Sequence, residues 1–271
     1  MSLEGKVIVE MKKIEKTLVI PDFHAPYEDY QALHAVYKYA KDSKPDKVIM
    51  LGDCVDFYAI SKFSRNPDRI TSLQHEIDVV RYHFQHLREA VGDKTPILYV
   101  EGNHEMRLQK YLWMNPEMSS LKKINTVPAL LGLDDFGIKY VKNTMVHGVL
   151  VKHGNIVRSH SAYTAKGEYD SEGTSGISGH SHRISAFYHT DRSGAHAWYE
   201  MGHLCDLSQA EYMEGRVANW QQGFGVMLYN PERKTWKVEQ VPIINNSFFA
   251  DGKVYKWNKT TSYPDRVALD A

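Results

Sequence analysis

Apolar residues follow two different rhythms along this chain. Over the first hundred positions, short continuous apolar runs alternate with longer stretches in which apolar positions recur every three or four residues. TLVI (17–20), KVIML (47–51) and ILYV (97–100) read as buried strands. Residues 29–43 suit a helix with Leu33, Val36, Tyr37 and Ala40 on one face. The strongest helical signal spans 70–91, where Leu73, Ile77, Val80, Phe84, Leu87 and Val91 follow a 4,3,4,3,4 spacing. This order of strand, helix, strand, helix, strand implies parallel strands, because parallel neighbours need a long crossover to return the chain.

The second half changes rhythm. Residues 145–152, 185–190, 195–201, 224–229 and 236–243 read as strands, with DRSG (191–194) and NPERK (230–234) as hairpin turns. Residues 114–137 read as short helices and loops, and 203–222 carries no clear pattern. The expected fold class is α/β, with two mixed sheets packed face to face and helices outside. No repeat and no Pro/Gly/Ser linker divides the chain, so a single domain over 1–271 is expected, with 1–15 a leader or an extra strand.

Composition narrows the function classes. Lys+Arg and Asp+Glu balance at 33 each, so no global field draws the chain to nucleic acid or an anionic membrane. No apolar run approaches the roughly 18 residues that a membrane span needs. The start carries charges and no secretory apolar region. Two cysteines, Cys54 and Cys205, make no disulfide framework. A soluble, cytoplasmic protein with no membrane partner is expected. Histidine, at 14 residues, is the unusual count.

Polar clusters close each apolar run. TLVI leads into Asp22 and His24, KVIML into Gly52-Asp53 and Asp56, and ILYV into Gly102-Asn103-His104-Glu105. Parallel strands present their carboxyl ends along one edge, where ligands bind, so these clusters should converge. Later, VLVK (149–152) ends in His153, and GISGHSHR (176–183) supplies His180 and His182. All the donors are nitrogen or oxygen, which suits Mn²⁺, Fe, Zn²⁺, Co²⁺ or Ni²⁺ rather than an iron–sulfur cluster. A carboxylate such as Asp53 has two oxygens and can bridge two ions. Two ions roughly 3.5–4 Å apart clamp a phosphate and activate water for in-line attack.

These blocks, in this order, resemble the calcineurin-like metallophosphoesterase superfamily. Its pattern is D-x-H, G-D-x-x-D, G-N-H-[ED], H, then G-H-x-H, matched here by Asp22/His24, Asp53/Asp56, Asn103-His104-Glu105, His153 and His180/His182. The resemblance implies a four-layer α/β/β/α sandwich and a centre of two divalent ions, Mn²⁺ foremost. It implies Asp22, His24, His182 and shared Asp53 around one ion, and Asn103, His153, His180 and shared Asp53 around the other. His104 would protonate the leaving oxygen or stabilise phosphoryl charge, with Asp56 holding its ring. The implied partner is a phosphoester, with nucleotides and nucleic acid among the candidates.

Where the protein serine/threonine phosphatases have Arg-Gly after G-D-x-x-D, this chain has Phe57-Tyr58. Protein phosphatase activity is therefore not expected. Phosphodiesterase action is preferred and phosphomonoesterase action is the alternative; a catalytically inactive scaffold is the remaining reading. Arg107, Arg158 and Arg183 are candidates to replace the missing arginine. The other polar residues take plainer readings. Asp56 is alternatively a helix N-cap. Glu105 reads as a solvated first-turn acid, and Cys54 as a buried spacer. His75, His83 and His86 lie off the helical stripe and read as solvated. His160 and His203 read as surface residues, and NWQQGFG (219–225) as core packing or a sheet turn rather than a base-stacking platform. Native metal, oligomeric state and a task for 183–271 do not follow from the sequence.

Overall fold

Alternate residues along the three early strands face two different cores, and this sets the layering. In the computed structural model, which describes residues 13–63, 66, 72–121, 125–209 and 217–258, these strands are β1 (Glu15–Ile20), β2 (Lys47–Met50) and β3 (Ile97–Val100). Leu18, Ile20, Val48, Met50, Ile97 and Tyr99 enter one core, and Val19, Ile49, Leu51 and Val100 enter the other. That is the period-two alternation of a strand buried on both faces. The three strands are parallel, as the crossovers predicted. β4 (Ile138–Val141) adds a further parallel strand, while β10 (Gly223–Asn230) and β11 (Thr235–Pro242) extend the opposite side antiparallel. The sheet order is β11-β10-β1-β2-β3-β4.

A second sheet comprises β5 (Asn143–Val146), β6 (Val149–Lys152), β7 (Gly176–Ser178), β8 (Ile184–Asp191) and β9 (Gly194–Met201), ordered β5-β6-β7-β9-β8. Val149, Val151, Ile177, Tyr199 and Met201 from this sheet meet Val19, Ile49, Leu51 and Val100 in the middle core. Outside the first sheet, α1 (Tyr30–Ser43) and α2 (Leu73–Val91) bury Leu33, Val36, Ile77, Val80, Phe84 and Leu87. Outside the second, α5 (Tyr163–Glu172) sets Ala165 and Tyr169 against Trp198. The result is helix, sheet, sheet, helix. α3 (Glu105–Met114) and α4 (Val127–Leu131) lie in the connection from β3 to β4. The hairpin of β12 (Ser247–Ala250) and β13 (Lys253–Lys256) sets Phe248 edge-on to Tyr39 and Phe224.

Caps fix the helix starts. Asp29 accepts from the Ala32 amide at 3.0 Å, and Ser72 accepts from the His75 amide at 3.1 Å. The second helix therefore begins at Leu73; residues 70 and 71 of the expected helix lie outside the described residues, as do 1–12 of the expected leader and 210–216 of the unplaced stretch. The expected strand over 145–152 is instead a hairpin, turning at His147-Gly148 with φ of 51° and 82°. Apolar residues on both sides of that turn hide it from a hydropathy reading.

Candidate metal centre

The carboxyl ends of β1, β2 and β3 share one edge of the first sheet. β6 and β7, also parallel to one another, deliver His153 and His180/His182 from the second. The loops meet in one cluster. Asp22, His24 and His182 form one donor group, and Asp53, His153 and His180 another, each with its donor atoms within 4.8 Å of one another. His24, Asp53 and His104 form a third such group, so Asp53 stands between the two sides. Asp53 Oδ2 is 3.2 Å from His153 Nε2, 3.8 Å from His104 Nε2 and 3.9 Å from His24 Nε2. Its other oxygen accepts the His104 amide at 2.9 Å. Asn103 joins through Oδ1, 3.0 Å from His153 Nε2. All seven expected ligands, with His104 and Asp56, come together.

The ring orientations are set from behind. His153 Nδ1 donates to the Leu51 carbonyl at 2.8 Å, and His104 Nδ1 donates to the Asp56 carbonyl at 2.9 Å. A carbonyl can only accept, so each Nδ1 carries a proton and each Nε2 faces the centre. Asp56 Oδ2 lies 3.3 Å from both His24 Nδ1 and His104 Nδ1, so one carboxylate braces two rings. The backbone is bent to aim these groups. His24, Asp53, His180 and His182 all take positive φ, at 51°, 48°, 66° and 58°. Such conformations cost roughly 1–3 kcal/mol each and gather at functional sites. Two glycines make room: a Cβ on Gly102 would stand 2.2 Å from Asp53 Oδ1, and one on Gly179 would stand 2.1 Å from Asp22 Oδ1.

These residues fit a cation. His24 Nε2 and His182 Nε2 point at each other across 3.1 Å, beside the wholly buried Asp22 carboxylate. Asp22 Oδ1 has no hydrogen-bond partner among the described residues. A buried carboxylate oxygen without a partner is costly, and a divalent ion among these donors would remove that cost. The sequence matches the description "Calcineurin-like phosphoesterase" over residues 15–228. The chain belongs to the calcineurin-like phosphoesterase family. It is thus a metal-dependent phosphoesterase. It is 30% identical to the Gene 54 protein of Mycobacterium phage D29 over 255 residues, covering 89% of this chain and 99% of that one. Remote likenesses in structure include Vps29 of Chaetomium thermophilum (14% identity, 92% of this chain, 100% of that chain, TM-score 0.44). YfcE of E. coli, a phosphoesterase, is another (12%, 83%, 98%, 0.37).

Electrostatics in this phosphoesterase follow from the packing of charge. Burial works against ionising Asp53, but His153 and His104 outweigh it and hold the carboxyl well below the usual range. Burial likewise opposes charge on Asp56, and His104 and His24 reverse it, leaving a firm carboxylate. Burial would lower His104 and His153, yet Asp53 with Asp56 raises the first to about 9, and Asp53 with Asp22 raises the second to about 10. His24 is lowered by burial and by His104, and His180 by burial and by His153.

Several plain readings are corrected. Glu105 is not solvated: it is 1% exposed and accepts the amides of Asp53 (2.9 Å), Cys54 (3.0 Å) and Gly102 (2.8 Å), with the Tyr99 hydroxyl also donating to it. The first turn of α3 points inward, which an acid at a helix start does not announce. His83 is buried against Glu28 at 3.2 Å, because the apolar face of α2 is wider than its central stripe. His75 and His86 are half-buried rather than solvated, His86 with Nδ1 2.9 Å from the Tyr82 carbonyl. His203 is wholly buried beside His182, their rings 5.4 Å apart, and its Nδ1 accepts the Cys205 amide at 3.2 Å. Trp220 stands edge-on to His182 at 4.3 Å, so NWQQGFG walls the centre as well as entering β10. Cys54 is buried and His160 exposed, as expected. Among the described residues no helix is long and apolar enough to cross a membrane.

Proposed function

We propose that this chain is a phosphodiesterase with two divalent transition-metal ions, Mn²⁺ foremost, acting on nucleotides or nucleic acid. The observation that carries the reading is the placement of Asp53 between two groups of imidazole and oxygen donors. Asp22, His24 and His182 would hold one ion, Asn103, His153 and His180 the other, and Asp53 both. Bound ions supply Lewis-acid charge to a phosphoryl oxygen and lower the pKa of water.

The chain's own groups do the rest. Leu51 and Asp56 lock the tautomers of His153 and His104, so each ring presents Nε2 to the centre without reorganising. His104 Nε2 is the group placed to give a proton to the leaving oxygen or to stabilise charge on it. Preference for a diester is supported by Phe57, fully buried where protein phosphatases carry a phosphate-binding arginine.

The test is turnover of metal-reconstituted protein on p-nitrophenyl phosphate and bis(p-nitrophenyl) phosphate, with Mn²⁺, Ni²⁺ and Zn²⁺ in turn. Preference for the diester is expected. Preference for the monoester would replace the substrate class by a nucleotide or small-molecule phosphomonoester. Turnover of neither would contradict the proposed reading.

A further inference from the structure

Arg107 stands one helical turn after His104 on α3, and its guanidinium lies at the centre rather than in solvent. Nη1 donates to the Asp56 carbonyl at 2.8 Å and to Asp56 Oδ1 at 3.0 Å. Nη2 reaches 3.0 Å from His104 Nε2, the ring atom that faces Asp53. The side chain is 18% exposed, and that of Asp56 is 13% exposed. A guanidinium has five donors. Two on Nη1 are spent on Asp56, and one on Nη2 bonds His104 Nε2 only while that nitrogen carries no proton. Nε and the remaining Nη2 hydrogen have no partner among the described residues.

The other two candidate arginines are differently engaged. Arg183 donates through Nε to the Asn219 carbonyl at 3.2 Å and through Nη1 to the Arg158 carbonyl, so it ties loops together. Arg158 is exposed.

We propose that Arg107 binds a non-bridging oxygen of the scissile phosphate. Three features carry this. The fork is pre-oriented by Asp56, so little rotamer entropy is lost when an anion arrives. Nη2, with a hydrogen to spare, lies 3.0 Å from His104 Nε2, the atom placed to serve the leaving oxygen. A planar guanidinium with donors to spare matches tetrahedral phosphate oxygens. The assignment rests on the phosphodiesterase reading for its substrate but not for its phosphate.

The experiment pairs Arg107→Ala and Arg107→Lys with wild-type protein, each loaded with Mn²⁺. It measures kcat/KM on bis(p-nitrophenyl) phosphate, inorganic phosphate affinity by calorimetry, and bound metal by elemental analysis. Arg107→Ala should lose about 100-fold in kcat/KM, the scale of removing one preorganised donor to transition-state charge. Arg107→Lys, which keeps charge without the fork, should recover only part of that loss. Phosphate should bind more weakly to Arg107→Ala with metal content unchanged, and added guanidinium should restore some turnover.

Three results would overturn the assignment: kcat/KM within about threefold of wild type, unchanged phosphate affinity, or loss of metal in step with loss of activity. The last would make Arg107 a brace for Asp56 alone. If wild-type protein hydrolyses no diester yet phosphate affinity still depends on Arg107, the clamp stands and the phosphodiesterase reading fails.

Discussion

His104 and Asp53 stand 3.8 Å apart, yet their neighbours give them separable tasks. Every close polar contact of the His104 ring is to Asp53, Asp56 or Arg107, whereas Asp53 faces donors from both sheets. His104→Ala should therefore retain the metal content of wild type while kcat falls by roughly 10²–10⁴-fold, the range for a lost acid or base. Elemental analysis beside steady-state kinetics checks it, and loss of metal would make His104 a ligand. At this scale the ligand types were legible, because Asp, Asn and His at strand ends have few structural reasons to be there. Glu105 was not. An acid in the first turn of a helix has an ordinary electrostatic role at the surface, and only the tertiary fold turns that turn inward onto three backbone amides. His203 was hidden for a similar reason: its loop lacks a periodic pattern, so nothing in the sequence places it against His182.

At the scale of elements, the loops after β2, β3, β6 and β7 are tied down from behind by buried glutamates. Glu105 gathers the amides at 53, 54 and 102, and Glu76 gathers those of Tyr58 and Ala59, just past Asp56. Glu168 accepts from Asn155 and Ile156, following His153, and pairs with Lys152 at 2.9 Å. Glu200 takes the hydroxyl of Ser181, which lies between His180 and His182. Carboxylates suit this task because each oxygen accepts more than one bond, and such outer supports govern ligand aim. The same loops depend on absent side chains. Gly179→Ala would drive a Cβ into Asp22 Oδ1, so metal affinity should fall at least about 10-fold, the lower end of the loss when a ligand's support is disturbed. Competition with a metal chelator measures this, and an unchanged affinity would show that the β7 loop yields. The parallel β1-β2-β3 core was legible because unbroken apolar runs mark strands buried on both faces. β7 has three residues and β4 mixes Lys139 and Tyr140 into four, too short for a period to register.

For the whole molecule, the centre couples folding, protons and metal. In metal-free protein, His104 and His153 have folded pKa values raised to about 9 and about 10, from 6.5. A raised folded pKa contributes stability that is fully present below the unfolded value and lost as pH rises through the folded one. The melting temperature of chelator-treated protein should thus decline between about pH 7 and 10 on this account. Ligand nitrogens must shed protons to bind an ion, so added Mn²⁺ should raise the melting temperature more at pH 9 than at pH 6. Thermal melts at both pH values, with and without metal, give the answer. A metal-induced rise that is larger at pH 6 would mean that the imidazoles are not the ligands.

In the proposed centre one carboxylate, Asp53, joins two metal positions. The most direct test is the metal-to-protein ratio of wild type and Asp53→Ala by elemental analysis after reconstitution with excess Mn²⁺ and desalting. Two ions per chain are expected for wild type, with loss of bound metal in the folded Asp53→Ala protein. One ion per chain in wild type, or two retained in Asp53→Ala, would contradict the bridging role.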